Sequence, residues 1–415
     1  MTKVRKRKVG IAGGEYEATI CDLLPANKGR SSLVNAMINA YDFNKLCDSI
    51  TVKPAKRDEL LKFHDSRYVD YVLRKRKIID EEITTKQREA LKKFNLKDDQ
   101  GDEDEDKDDD DSEQESDSND TLFNYGLLYD CPIFRLMSKY ITTTAGSSIS
   151  AARYLITESS TIDPETQLIA INWNGGRHHA KKAKASGFCY INDIVLAIIE
   201  LRKTYEKIMY IDLDLHHGDG VESAFKFSDK VLTFSIHRKD IGFYPGTGSL
   251  EDLGKGKGYG YTVNVPIRHG LNDESMDEII DRILKPTLDK FNPDCIVVQC
   301  GVDGLSSDEH QEWNLSIKGF GEQVSKILKF NKPTLLLGGG GYEHLQVARC
   351  WTYLTNIALD LNHNFDLIPE HELSDAYEDE NFEFWNILHK NMIDDNSKDY
   401  INELANIINK RIESW

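Results

Sequence analysis

Five short, largely apolar segments constrain the fold more than any other feature: Gln167–Asn172, Ile208–Leu213, Val231–Ile236, Cys295–Cys300 and Thr334–Leu337. Hydrophobicity without alternation is the mark of strands buried on both faces, as in a parallel sheet. Between them, Ile191–Tyr205, Met276–Lys290, Ile317–Phe330 and Gln346–Leu361 carry helical spacing. Strand followed repeatedly by helix predicts a single α/β domain, with a central mostly parallel sheet and helices on both faces. In such folds the ligand site lies beyond the C-terminal strand ends.

Four of the five segments run into polar residues at those ends. The first leads to His178-His179, the second to Asp212-Leu-Asp214-Leu-His216-His217-Gly-Asp219, the fourth to Asp303, and the fifth to Gly338–Gly341 and Tyr342. On an extended chain residues 212, 214 and 216 share a face while Leu213 and Leu215 pack away. Asp214 and His216 can then ligate one divalent ion, with Asp303 as a third ligand from another strand. Three protein ligands with an open position describe a catalytic ion. This oxygen/nitrogen set suits Zn²⁺ and also accepts Fe²⁺ or Co²⁺. The adjacent histidines supply an acid and a base, each needing an orienting carboxylate, for which Asp212 and Asp219 are the candidates. Tyr342, after its glycines, is placed to donate to a developing oxyanion.

Composition narrows the class. Of the net charge of −18, −14 falls within Asp98–Asp120, which holds fifteen acidic residues and one lysine. The remainder has no basic face of the kind nucleic acid requires, so direct nucleic-acid binding is not expected. The acidic stretch, at about 97–120, has almost no apolar residues and reads as a disordered insertion in a catalytic domain spanning 9–415. Residues 1–8 form a basic N-terminal tip, Lys3-Val-Arg-Lys-Arg-Lys8, that resembles a nuclear localisation signal. Seven cysteines without a C-x-x-C pair argue for a reducing compartment, so nucleus or cytoplasm is expected. No apolar run approaches eighteen residues, so membrane spanning is not expected. Gly246-Thr-Gly248 and Gly254–Gly258 match neither the phosphate-loop nor the dinucleotide pattern.

The long motifs carry a resemblance. Asn172-Trp-Asn-Gly-Gly-Arg-His-His-Ala-Lys-Lys-Ala-Lys-Ala-Ser-Gly-Phe-Cys-Tyr-Ile-Asn-Asp193, Tyr210-Ile-Asp-Leu-Asp-Leu-His-His-Gly-Asp-Gly-Val-Glu222, Gly242-Phe-Tyr-Pro-Gly-Thr-Gly248 and Gly338-Gly-Gly-Gly-Tyr342 resemble the signatures of class I histone deacetylases. The resemblance implies an arginase-like α/β fold and zinc-dependent hydrolysis of N6-acetyl-lysine in proteins to lysine and acetate. It assigns Asp214, His216 and Asp303 to zinc, His178 and His179 to acid–base chemistry, and Tyr342 to the oxyanion. Phe188, Tyr244 and Gly187 would line the acetyl-lysine tunnel, Asp130 would grip the substrate backbone, and Arg30 would belong to an acetate-release channel. Structural K⁺ is implied at two sites. One lies around Asp212, Asp214, His216, Ser235 and Ile236, the other near Phe225, Ser228, Val231 and Tyr261.

Departures from the family pattern refine this. Asn27, Glu309 and Leu345 stand where inositol-phosphate-regulated members carry basic residues, so inositol phosphate binding is not expected. Residue 244 is Tyr where Phe is common, adding a hydroxyl to the tunnel wall. His310 replaces the usual Leu or Met among the substrate-binding positions. With the acidic insertion, these features are most similar to the fungal Hos-type branch, which implies a histone or a non-histone substrate such as the acetylated SMC subunit of cohesin. The alternative within the same fold is an acetylpolyamine or other small acetylamine amidohydrolase. Oligomeric state is left open.

Overall fold

The computed structural model describes residues 6–74, 89, 91–94, 96, 118–385 and 391–413. Eight strands form one sheet: β1 Arg7–Ala12, β2 Asp48–Ile50, β3 Gln167–Asn172, β4 Ile208–Asp212, β5 Val231–Arg238, β6 Thr262–Ile267, β7 Cys295–Gln299 and β8 Thr334–Leu337. Their order is β2-β1-β3-β8-β7-β4-β5-β6, and every pairing is parallel. The sheet is thus wholly parallel among the described residues.

Alternate residues of each central strand enter two different cores, which is how an unbroken apolar run serves both faces. Ile169, Ile171, Ile211, Phe234, Val298 and Leu336 pack with helices Arg30–Ala40, Ile317–Leu328, His344–Ala358 and Lys398–Ile412. Leu168, Ala170, Ile208, Val297 and Leu335 pack on the opposite face with Met137–Ser159 and Asp193–Leu201. Helix starts follow side-chain caps: Asn192 accepts from Val195 N, Ser316 from Gly319 N and Ser397 from Tyr400 N.

Several expectations shift. Capping by Asn192 trims the helix predicted over Ile191–Tyr205 to Asp193–Leu201. The segment predicted over Met276–Lys290 begins earlier, at Asp273, and passes through a π turn at Ile280–Leu284 just before Pro286, which has no N–H to continue an α ladder. Arg7 and Lys8, assigned to the N-terminal tip, already pair in β1, and Lys8 Nζ lies 2.7 Å from Glu158. Residues 1–5 and the core of the acidic insertion, 97–117, lie outside the described residues. Asp120, expected at the end of the insertion, lies in a helix Asn119–Tyr125 that Ser118 caps and Gly126 closes at φ 68°.

Candidate active site

Strand β4 stops at Asp212, and the chain bends through 214–216 instead of continuing extended. The Asp214 Oδ1 atom accepts the His216 N–H at 3.0 Å, a local turn that brings the two ligand side chains together. Convergence therefore arises from this bend and not from strand alternation. Asp212 stays outside the donor group, its Oδ2 on His178 and its Oδ1 accepting the Asp214 N–H at 3.2 Å. Asp303 arrives from beyond β7, and its Oδ1 accepts the Leu215 N–H at 3.0 Å. One donor atom each of Asp214, His216 and Asp303 then lies within 4.8 Å of the others, all three residues being buried.

The donor set fits a divalent cation. Two buried carboxylates meet here, and among the described residues no lysine or arginine pairs with either. Burial alone would lower the His216 pKa, yet Asp214 and Asp303 push it up to about 10, so the position demands positive charge. Asp214 Oδ2 is further fixed by Gln299 Nε2 at 2.7 Å and by Gly340 N at 2.9 Å. Gly340 has no room for a side chain, since a Cβ there would overlap the Asp303 carboxylate.

The two histidines are each oriented by a carboxylate. His178 Nδ1 lies 2.9 Å from Asp212 Oδ2 and His179 Nδ1 lies 2.9 Å from Asp219 Oδ1. Their electrostatic settings diverge. Burial would depress His178, but Asp212 and Asp214 outweigh it and raise the imidazole to about 9. Burial and the neighbouring His178 pull His179 down to about 3. One ring holds a proton at neutral pH and the other is neutral.

Both histidines line a cavity of about 240 Å³, together with Asp130, Gly187, Phe188, Asp214, His216, Tyr244, His310 and Tyr342. Phe188 adopts a positive φ of 61° beside Gly187 at 52°, and Asp130 Oδ2 accepts the Gly187 N–H at 2.6 Å. The Tyr244 hydroxyl, expected on the tunnel wall, is engaged by Ser186 Oγ at 2.6 Å. Burial holds the Tyr342 phenol well above its ordinary pKa, so it stays a donor.

At the inner end, buried Arg30 donates to the carbonyls of Gly339 and Gly341 at 3.0 and 2.9 Å and stacks over Trp351. Asn27 is buried and lines the same cavity, Glu309 is exposed, and Leu345 is half-buried. The residues of the first implied K⁺ site are neighbours, with Asp212 opposite Ser235 in the β4–β5 register. Of the second, Ser228 N donates to the Phe225 carbonyl and Thr233 N to that of Tyr261.

Sequence reasoning passed over four residues that build this site. Gln299, the polar residue closing β7, was legible as a break in an apolar run. Asp308 carried no such signal, because its partners are set by tertiary contacts, and Lys181 was only a letter of the Asn172–Asp193 motif. Arg177, fully buried on the cavity wall, was visible only as one letter of a long motif.

A parallel α/β sheet carrying a buried imidazole–dicarboxylate triad, two carboxylate-oriented histidines and a tyrosine at its strand ends defines a class, the metal-dependent amide hydrolases. The comparisons specify it. The histone deacetylase domain matches residues 24–358. Histone deacetylase 8 of Xenopus tropicalis is 37% identical over 370 residues, covering 89% of this chain and 88% of the relative. Histone deacetylase HOS1 of Saccharomyces cerevisiae is 34% identical, covering 91% and 93%. Histone deacetylase 19 of Arabidopsis thaliana is 37% identical, covering 92% and 67%. The chain belongs to the histone deacetylase family, with its arginase/deacetylase-like fold, and is a lysine deacetylase.

Proposed function

We propose that the protein hydrolyses N6-acetyl-lysine in protein substrates with a zinc ion held by Asp214, His216 and Asp303. The observation that carries this reading is the buried convergence of those three donors beside the two oriented histidines at the end of one narrow cavity. Fe²⁺ or Co²⁺ would fit the same donors. The ion supplies Lewis acidity toward the acyl carbonyl and a lowered pKa for water. Neutral His179, with its Nδ1–H directed at Asp219, accepts a proton from water at Nε2. His178, positive beside Asp212, holds a proton for the departing amine. The Tyr342 hydroxyl donates to the oxyanion as charge develops.

Phe188 and Tyr244 flank the lysine stem. Asp130, with one oxygen on Gly187 N–H, has the other for the substrate backbone. Arg30 and Arg177 each have a buried Nε without an acceptor among the described residues, which supports an anion path for acetate at the inner end. K⁺ at the two positions named above would brace the β4 and β5 ends. Inositol phosphate regulation is disfavoured because Asn27 is buried, Glu309 is acidic and Leu345 is apolar. The seven cysteines are free, consistent with the nucleus or cytoplasm.

Turnover of acetyl-lysine peptides by metal-loaded protein, compared with acetylpolyamines, tests the reading. Activity confined to the polyamines would overturn it in favour of the small-amine alternative. Acetyl-proteomics after Asp303→Asn inactivation then separates histones from non-histone substrates such as the SMC subunit of cohesin.

A further inference from the structure

The two His–Asp pairs are backed differently. Asp212 is fully buried, and beyond His178 its oxygens accept, among the described residues, from the neutral donors Tyr210 OH at 2.6 Å and Asp214 N at 3.2 Å. Asp219 sits at the first turn of the helix Asp219–Phe225, and its Oδ2 is ion-paired with the Lys181 ammonium while Oδ1 holds His179. Lys181 is the one ammonium or guanidinium on Asp219 among the described residues, and its side chain is 33% exposed.

The backbone that carries Lys181 is tied down on both flanks. Lys181 N donates to the Lys184 carbonyl at 2.8 Å, forming a narrow antiparallel bridge. The Lys182 carbonyl accepts from Asp65 N at 2.8 Å, and Ala185 N donates to the Tyr125 carbonyl at 2.8 Å. On the other flank, Asn192 Nδ2 donates to the Ala180 carbonyl at 3.0 Å. The bridge thus carries a surface-reachable charge to a carboxylate whose opposite oxygen orients a ring inside the cavity. A carboxylate held at both oxygens loses the freedom to rotate, and the ring bonded to it keeps one orientation and one tautomer.

We propose that Lys181 is a positioning residue for His179, its ammonium fixing Asp219 so that Asp219 fixes the ring. The inference rests on His179 acting as an acid–base residue in the reading above. Loss of charge at one partly exposed lysine then slows the centre without touching substrate or ion.

The test uses the full-length zinc-loaded protein. Lys181→Gln and Lys181→Met are expected to lower kcat by about 10- to 100-fold, the range for losing a partner that orients an active-site ligand. KM, zinc content and Tm stay at wild-type values. Lys181→Arg restores kcat to within a few-fold, and Lys182→Gln leaves it unchanged. In proton NMR, the downfield Nδ1–H resonance of His179, assigned by its loss in His179→Gln, shifts or broadens in Lys181→Gln and returns in Lys181→Arg. Wild-type kcat in Lys181→Gln would overturn the proposal. So would a loss that Arg does not rescue while the resonance stays put. A Lys181-dependent resonance in protein that turns over no acetyl-lysine peptide would uphold the positioning and remove only the functional reading.

Discussion

His310 and Tyr342 are joined through one buried carboxylate. His310 Nδ1 lies 2.9 Å from Asp308 Oδ1, and the Tyr342 backbone N–H donates to Asp308 Oδ2 at 2.8 Å. Their rings stand 4.9 Å apart, and His310 also meets His216 at 5.1 Å. A residue at the cavity wall is therefore tied to the backbone of Tyr342, the proposed oxyanion donor. Asp308→Asn should weaken a charge-assisted hold worth about 1–2 kcal/mol, lowering kcat roughly 5- to 30-fold. His310→Leu spares the bond to Tyr342, so it should change KM and peptide preference more than kcat. Steady-state kinetics on a peptide panel check both, and equal kcat losses would contradict the arrangement.

Tyr342→Phe removes only the hydroxyl. Because burial keeps that phenol protonated far beyond neutral pH, the lost group is a donor and not a base. The expected loss in kcat is roughly 10²- to 10³-fold, with metal content retained. An unchanged rate in metal-replete protein would remove Tyr342 from the mechanism.

Gly340 lies against the two ligand carboxylates, and its N–H holds Asp214. Gly340→Ala should therefore lower bound-metal stoichiometry and activity together, by at least about 10-fold in activity, since ligand-orienting contacts are worth that much. Chelation of the wild-type protein should give the same inactive state, reversed by adding Zn²⁺. Metal analysis after gel filtration reads both. Full metal occupancy in an active Gly340→Ala protein would count against the close approach.

His64 links pH to stability. Its Nε2 accepts the Asn192 N–H at 3.1 Å, and its Nδ1 faces the Lys182 carbonyl at 3.2 Å, so the ring is neutral. Burial lowers its pKa to about 4 from an ordinary 6.5. Between these values the unfolded chain binds the proton and the folded chain does not. The contribution is complete above pH 6.5 and is lost as pH falls toward 4, by up to about 3 kcal/mol. Melting curves of wild type and His64→Asn should converge as pH is lowered through that window. A difference independent of pH would show that His64 titrates alike in the folded and unfolded chain and would remove this contribution.

Much of the architecture was legible because buried parallel strands must be apolar on both faces. Gln167–Asn172 and Thr334–Leu337 match their strands at both ends. The short strand Asp48–Ile50, the β6 edge with its Asn264 and Pro266, and the Ser/Thr-rich helix Met137–Ser159 lacked that signature. The helix buries small residues, among them Ala145, Ser148 and Ala152, in place of a bulky apolar stripe.

Asp214, His216 and Asp303 could be read as candidate ligands from residue type and strand-end position, and the structure gathers them into one buried group that could hold a metal ion. Only the tertiary structure decided how they meet. Asp214 and His216 converge through a bend closed by a side-chain-to-backbone bond. Asp303 is brought to them by its Leu215 contact, and Lys181, Asp308 and Gln299 become relevant through long-range pairing. Local pattern determines which side chains are buried at a strand end. Which oxygen each of them shares depends on loops distant in sequence, and hydrogen-bond geometry across them is written in no single segment.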